Sequence, residues 1–182
     1  MRPATAFDPP PSAWVARHAG LIRPGGRALD LAAGGGRHTR VLLERGCNVV
    51  AADRDTQALE AAFADHPACR ILRLDLESGE SWRLGDGYDG IVVTNYLYRP
   101  LFADLAAALA AGGVLIYETF MEGNERFGKP CNPDFLLRPN ELIDAFAPRL
   151  MVVAFEQGIV RRPRPAAIQR LVARKGDIIA LD

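Results

Sequence analysis

Five short runs rich in Val, Ile and Leu, separated mostly by Ala-rich amphipathic stretches, restrict the fold of this chain more than any other feature. Strands that alternate with helices run parallel, because each helix returns the chain to the same edge of the sheet before the next strand begins. The pattern predicts strands at about Arg27 to Ala32, Asn48 to Ala52, Arg70 to Leu74, Gly90 to Thr94 and Val114 to Thr119. It predicts helices at about Ser12 to Ala19, His38 to Glu44, Thr56 to Ala64, Pro100 to Ala111 and Pro139 to Phe146, with Pro100 and Pro139 as first-turn prolines. The tail departs from this alternation. Leu150 to Glu156 and Ala167 to Ala173 both read as strands with no helix between them, and a short connection means antiparallel pairing. The expected fold is therefore α/β: a doubly wound, mostly parallel seven-stranded sheet closed by a C-terminal antiparallel strand.

A length of 182 residues fits one domain over 1–182, with a Pro-rich N-terminal arm at 1–11 that stiffens the approach to the first helix. Hydrophobic residues make up 49% and charged ones 24%, which excludes disorder, collagen and coiled coil as descriptions of the whole chain. The 22 basic and 22 acidic side chains cancel, so no global field draws the protein to nucleic acid or an anionic membrane. A polyanion partner would have to be met by a local patch. Cys47, Cys69 and Cys131 are odd in number and lack metal-ligand spacing, so no metal site is expected and a reducing, cytoplasmic setting is. The start of the chain has proline clusters where a signal peptide needs an apolar core. The longest apolar stretch, Leu101 to Tyr117, is interrupted by Asp104 and Gly112-Gly113, and no membrane span is predicted.

The densest motif is Ala28-Leu-Asp-Leu-Ala-Ala-Gly-Gly-Gly-Arg-His-Thr39: an apolar strand ending near Asp30, a turn through Ala32, Gly34, Gly35 and Gly36, then a helix. Such glycines let the backbone approach a ligand, and the free N–H groups at the helix start face the same point. Neither phosphate-binding fingerprint is present, and an acid in the loop would repel a pyrophosphate. The acid suits a positively charged ligand, such as the ammonium and sulfonium of S-adenosylmethionine. Asp53, beside Arg54 at the end of the second strand, is placed to accept both hydroxyls of a ribose. Asp55 reads as the cap of the following helix. Asp75, just past the third strand, is placed to accept from an adenine amino group while Leu76 packs on the ring.

With these residues in view, the chain resembles the class I S-adenosylmethionine-dependent methyltransferases. The likeness covers nearly its whole length: a loop in the family's Asp-x-x-x-Gly-x-Gly style, Asp53 after the second strand, Asp75 after the third, and a terminal antiparallel hairpin. Within that superfamily, Gly-Gly-Gly-Arg-His38 and Asn132-Pro-Asp-Phe-Leu-Leu-Arg-Pro-Asn-Glu141 resemble the small bacterial tellurite-resistance-like group. Many members have Gly where this chain has Ala32. The resemblance implies a Rossmann-like methyltransferase fold, S-adenosyl-L-methionine as cofactor, and Asp30, Ala32, Gly34, Gly36, Asp53, Arg54, Asp75, Leu76 and Asn95 around it. Asn95, Tyr96, Tyr98 and Arg99 follow the fourth strand, where family members contact the methionine end and face the acceptor. Aromatic rings there gain cation-π attraction to a sulfonium.

Glu118, at the end of the fifth strand, is the best general-base candidate, with a salt-bridge role the alternative; Tyr98 is the second catalytic candidate. His38 lies in the first turn of a helix beside the loop and is not expected to be the base, while Trp14 and His18, spaced i and i+4, form a packing pair. The stretch 121–138 is long and rich in Gly, Pro and Asn, and is expected to be lid-like. Its Gly123 to Lys129 part is expected to move, with Arg126, Phe127 and Lys129 near an acceptor, and the part from Asn132 to be fixed. The basic segments Val160 to Pro165 and Arg170 to Lys175 offer a patch for RNA phosphates. The leading expectation is methyl transfer to a small-molecule acceptor. The alternatives are a tRNA or rRNA methyltransferase, a non-catalytic methyltransferase-like partner protein and, weakened by the missing dinucleotide fingerprint and the reversed tail strand, a nicotinamide oxidoreductase.

Overall fold

Apolar side chains leave the central strands on both sides, so the sheet is covered on both faces. The computed structural model describes residues 10–78 and 84–176, and most of the expected Pro-rich arm lies outside the described residues. Its elements are α1 (Ala13–His18), β1 (Arg27–Leu31), α2 (Arg37–Glu44), β2 (Asn48–Asp53), α3 (Gln57–Phe63), β3 (Cys69–Arg73), β4 (Tyr88–Thr94), α4 (Phe102–Ala108), β5 (Leu109–Phe120), α5 (Glu141–Phe146), β6 (Met151–Val160) and β7 (Ala166–Arg174). In β1, Leu29 and Leu31 enter the larger apolar cluster and Ala28 the smaller one on the opposite face. In β4, Ile91 and Val93 oppose Val92; in β5, Leu115 and Tyr117 oppose Val114 and Ile116. Because successive Cβ atoms alternate sides, strands buried on both faces carry the unbroken apolar runs seen in the sequence.

The sheet order is β3-β2-β1-β4-β5-β7-β6. The strands from β3 to β5 pair in parallel, and β7 runs antiparallel to both β5 and β6. This is the expected mostly parallel, doubly wound architecture. The strand order reverses between β1 and β4, and in open α/β sheets ligands bind beyond the carboxyl ends of the strands at such a switch. Since β7 is reversed, its first residues stand at the same edge: Phe120 pairs with Ile168. The basic connection 161–165 therefore projects at that edge, on the side of β5.

Pro139, expected in the first turn of its helix, lies outside α5, which starts at Glu141 after a left-handed Asn140, and β6 runs on to Val160. The largest difference is at the start of β5. The alanine run was predicted as helix to Ala111 and strand from Val114, but α4 stops at Ala108 and β5 starts at Leu109. Tyr88 pairs with Leu109 and Gly90 with Val114, so β5 carries extra residues at this irregularity. Gly112 sits at φ 78°, and a Cβ on Gly113 would come within 2.5 Å of the Tyr88 carbonyl. The Lys175 ammonium donates to the carbonyls of Ala107 (2.7 Å) and Leu109 (2.8 Å), and the Gly112 N–H donates to the Lys175 carbonyl at 2.6 Å. Pairing with β4 and the end of β7 overrides the helix propensity of alanine.

Candidate functional site

The glycine turn is a stretch of backbone held in conformations that side chains disfavour. Ala32, Gly34 and Gly36 have φ of 54°, 55° and 78°, all left-handed. Each glycine has its own reason. An ideal Cβ on Gly34 or Gly35 meets nothing within 4 Å, so the space above the turn is open. A Cβ on Gly36 would lie 2.4 Å from the Phe63 ring and 2.9 Å from Leu59, so Gly36 lets α3 pack under the start of α2. Ala32 keeps a conformation that glycine adopts freely and that costs an L-residue roughly 1–2 kcal/mol.

Three acids surround this turn at three depths. Asp30 is buried, with Oδ2 accepting from the Thr39 hydroxyl at 2.6 Å, so it fastens α2 to β1 from beneath the turn. Burial raises its pKa to about 6; the Thr39 hydrogen bonds and Arg37 oppose the rise and the Asp53 charge adds to it. Asp53 is half-buried at the end of β2. Its Oδ2 accepts from the Gly34 N–H at 2.7 Å and its Oδ1 from the Asp55 N–H at 3.0 Å, tying the two loops together. Each carboxylate oxygen keeps a further lone pair for a ligand hydroxyl. Arg54 beside it is exposed, and Asp55, expected to cap α3, stands one residue before the cap position held by Thr56 and accepts from the first helical N–H, that of Gln57, at 3.1 Å. Asp75 is exposed past β3, with Oδ1 accepting from the Glu77 N–H at 2.9 Å, and Leu76 is half-buried against the larger cluster. Asn95, exposed and at φ 54°, ends β4, and its N–H donates to the Glu118 carbonyl at 2.9 Å.

The order β3-β2-β1-β4 places Asp75, Asp53, the Gly34 turn and Asn95 at four adjacent strand ends. Three inter-strand steps of about 4.8 Å span roughly 14 Å. That is the reach of a nucleoside carrying an amino-acid chain, so the residues present fit S-adenosylmethionine in length, in open space over the turn and in negative charge. Among the described residues, no group of three His, Cys, Asp or Glu is arranged to hold a metal ion.

His38 shows why it cannot serve as a base here. Its Nε2 accepts from the Ser12 N–H at 3.1 Å, which puts the ring proton on Nδ1, 3.1 Å from the Thr94 hydroxyl. Burial, helped by the Arg37 charge, lowers its pKa to about 3. Together with the Arg37 bond to the Pro10 carbonyl at 3.1 Å, it fastens the segment before α1 to the first turn of α2. Trp14 and His18 form the expected pair, with ring centroids 4.2 Å apart.

On the far side of the switch, the charged candidates are bound to one another. Glu118 pairs with Arg170 at 3.4 Å; Arg170 also holds Glu156 and lies 4.7 Å from the Trp14 ring centre. Arg99 donates to Glu141 through Nε (2.5 Å) and Nη2 (3.0 Å), and to the carbonyls of Asp134 (2.8 Å) and Leu136 (2.9 Å). It is thus a clamp on the long connection, with its donors turned inward. Tyr96 and Tyr98 are half-buried, and the Tyr117 hydroxyl donates to the Tyr96 carbonyl at 2.9 Å.

The long connection is closed at its base. The Glu122 N–H donates to the Leu137 carbonyl (2.9 Å), the Leu137 N–H to the Phe120 carbonyl (3.0 Å), and Leu136 and Leu137 are buried. Asn124, inside the part expected to move, is 1% exposed. Its amide donates to the Pro130 carbonyl (3.0 Å) and accepts from the Ala167 N–H (3.2 Å), pinning the stretch to β7. The tip beyond it is presented to solvent, as is 131–135: Phe127 is 40% and Phe135 48% exposed, and the Arg126 guanidinium sits 5.9 Å from the Phe127 ring centre. Nothing in the sequence distinguishes Asn124 from the other polar residues of the loop, because its partners lie on another element.

Comparison with known proteins bears out the fold. TehB from Haemophilus influenzae superposes with a TM-score of 0.76 at 17% identity over 91% of this chain. The fold is that of the class I methyltransferases. N-methyltransferase NodS from Bradyrhizobium japonicum WM9, in complex with S-adenosyl-L-homocysteine, matches at TM-score 0.70 and 16% identity, covering 94% of this chain and 92% of its own. Burkholderia thailandensis 1,6-didemethyltoxoflavin-N1-methyltransferase, solved with 1,6-didemethyltoxoflavin and S-adenosylhomocysteine, matches at TM-score 0.67 and 22% identity, covering 96% and 80%. The match spans 62% of the Haemophilus protein. In sequence, 43 residues are 54% identical to ribosomal RNA small subunit methyltransferase H of Cyanothece sp., amounting to 22% of this chain and 15% of that protein. No family model matches the chain.

Proposed function

We propose that this protein transfers a methyl group from S-adenosyl-L-methionine to a small-molecule acceptor. The observation that carries the reading is the open glycine turn ringed by Asp30, Asp53 and Asp75 at adjacent strand ends. An acidic, unobstructed turn accepts a ligand with positive charge and repels a pyrophosphate. Asp53, flanked by Arg54, takes the ribose hydroxyls, Asp75 and Leu76 take the adenine, and Asn95 and the Gly34 to Gly36 backbone line the methionine end. Asp30 lends its charge from beneath. The bound cofactor supplies an electrophilic methyl group, and the chain's part is to hold the acceptor in line with it and keep water away, which supplies much of the rate without a protein nucleophile. Tyr98 and the exposed tip with Arg126 and Phe127 face the acceptor, and Arg99 positions that tip. Glu118 acts as a base only if an acceptor displaces it from Arg170.

Calorimetry tests the reading: S-adenosylhomocysteine should bind and NAD should not, and Asp53→Ala should weaken binding by about 1.5–3 kcal/mol, the range for hydrogen bonds to a charged group. Unchanged affinity would remove Asp53 from the site. One observation favours RNA as the alternative acceptor: Arg161, Arg162 and Arg164 project at the carboxyl edge of the sheet. A labelled-methyl screen of metabolite extract against total RNA separates the two, since RNA transfer through those arginines would fall steeply with salt. Incorporation into neither would favour a non-catalytic partner protein. Three free cysteines favour a cytoplasmic setting.

A further inference from the structure

Tyr96 carries a buried hydroxyl without a hydrogen bond of normal geometry, and the groups that act on it include Asp75, assigned above to the base of the cofactor. Among the described buried side chains, its Oη is the polar atom left without a hydrogen bond. The ring packs against the larger apolar cluster, and the main chain is fixed by the Tyr117 hydroxyl on its carbonyl. Burial raises the phenol's pKa, and the carboxylates of Glu77 and Asp75, with Tyr98, add to the rise. The Glu77 carboxylate is near enough to draw on the phenol's proton, yet no hydrogen bond of normal geometry joins the two, so the proton stays on an oxygen that is incompletely satisfied. A buried hydroxyl left unmade carries its full desolvation cost, and such a group in a folded protein calls for an explanation.

We propose that the Tyr96 hydroxyl is a base-reading donor: it gives its hydrogen bond to a ring nitrogen of the cofactor's adenine, while Asp75 accepts from the exocyclic amino group. This rests on the proposed methyl-donor site and moves Tyr96 from the acceptor side, where its sequence position put it, to the nucleoside side. The pairing has the right polarity. Adenine presents ring nitrogens as acceptors and an amino group as donor, and the protein presents a phenol that donates beside carboxylates that accept. Glu77 and Asp75 are exposed, so their side chains give way to a ligand, while Tyr96 is locked by its packing and does not. Selectivity follows from the same polarity. A base with oxygen in place of the amino group turns an acceptor toward the exposed Asp75 carboxylate and leaves the two oxygens without a proton to share, and sites that hydrogen-bond a ligand N–H reject analogues lacking it.

The test is Tyr96→Phe, which keeps the ring and removes only the hydroxyl. Without ligand, the variant should melt a few degrees higher than the wild type, because an unpaired buried hydroxyl is gone. With ligand, its affinity for S-adenosylhomocysteine should fall about tenfold, and the preference for S-adenosylhomocysteine over S-inosylhomocysteine should shrink. A merely structural tyrosine would move stability and affinity in the same direction. If the wild type binds S-adenosylhomocysteine and the variant binds within twofold of it, the hydroxyl does not read the base. A lower melting temperature for the variant would mean the hydroxyl is satisfied in the free protein, which also overturns the proposal. If the wild type itself does not bind S-adenosylhomocysteine, the methyl-donor reading falls, and this inference falls with it for that distinct reason.

Discussion

The two sides of the switch point between β1 and β4 are built on opposite principles. On the β1, β2 and β3 side the site is made of main chain and of acids with spare lone pairs: left-handed Ala32, Gly34 and Gly36, open space over Gly34, and Asp53 holding two N–H groups while keeping capacity for more. On the β5 and β7 side, Glu118, Arg170, Glu156, Arg99 and Glu141 neutralise one another. The first side is a preshaped backbone with open space above it, whereas the other stores these charges in internal pairs. The same edge of one sheet thus separates a surface left open above its backbone from one closed by its own contacts.

The largest expected effect breaks the apparent equivalence of the glycines in the turn. Gly36→Val should cost about 3–4 kcal/mol in urea denaturation, because a side chain there overlaps Phe63 and Leu59 and is strained at a left-handed φ. Gly34→Val has room, so it should lose only about 1–2 kcal/mol from left-handed strain yet abolish S-adenosylhomocysteine binding. Equal stability losses would show that both glycines serve packing.

On the opposite side, Arg99→Ala should destabilise by about 2 kcal/mol, since the nearly buried Glu141 carboxylate loses two charged hydrogen bonds and keeps only the Arg138 N–H at 2.7 Å and the looser Arg138 ion pair at 3.5 Å. The arginine bonds hold the Glu141 pKa below the ordinary carboxylate value against a burial effect that raises it. The pair's contribution is therefore present above the unfolded carboxylate pKa and is lost as pH falls through the folded one. Denaturation midpoints of wild type and variant should converge in that acid range; a constant gap would assign the loss to packing instead.

A pH series sharpens the comparison further. The folded pKa of His38 is about 3 against an unfolded value of 6.5, so below 6.5 the unfolded chain binds a proton the folded one does not. Stability falls with pH from 6.5 towards 3 at up to about 1.4 kcal/mol per unit. Asp30 acts oppositely: with a folded pKa of about 6, the folded state takes up its proton first as pH falls from 6 to 3.8. His38→Asn should flatten the acid loss and Asp30→Asn should steepen it, read from melting temperatures between pH 4 and 7.

The smallest effect concerns Ala32. Ala32→Gly should gain about 0.5 kcal/mol, the relief of left-handed strain less the extra freedom of glycine in the unfolded chain. No gain in melting temperature would mean the turn holds alanine without strain.

These contrasts also explain what the sequence disclosed. The strands of the parallel core were legible because burial on both faces leaves unbroken apolar runs, and the turn was legible because glycines and acids sit within a few residues of each other. The start of β5 was not, since Leu109, Ala110 and Ala111 favour a helix until β4 and Lys175 pair with them. Arg99 and Glu141 read separately as a cleft residue and a helix start; their bond spans 42 positions, and no local pattern reveals it. Asn124 and the His38 link from Ser12 to Thr94 were hidden for the same reason.

The peg at Asn124 has a practical consequence. The ties from the long loop to its surroundings run largely to main-chain atoms: Ala167 N–H, the Phe120 carbonyl, and the Asp134 and Leu136 carbonyls gripped by Arg99. Main-chain partners are indifferent to side-chain identity. The loop is thus a cassette, exchangeable between scaffolds that keep an arginine at the place of Arg99 if an amide peg and two buried leucines travel with it, and the tip residues at 125–129 can be diversified without touching the frame.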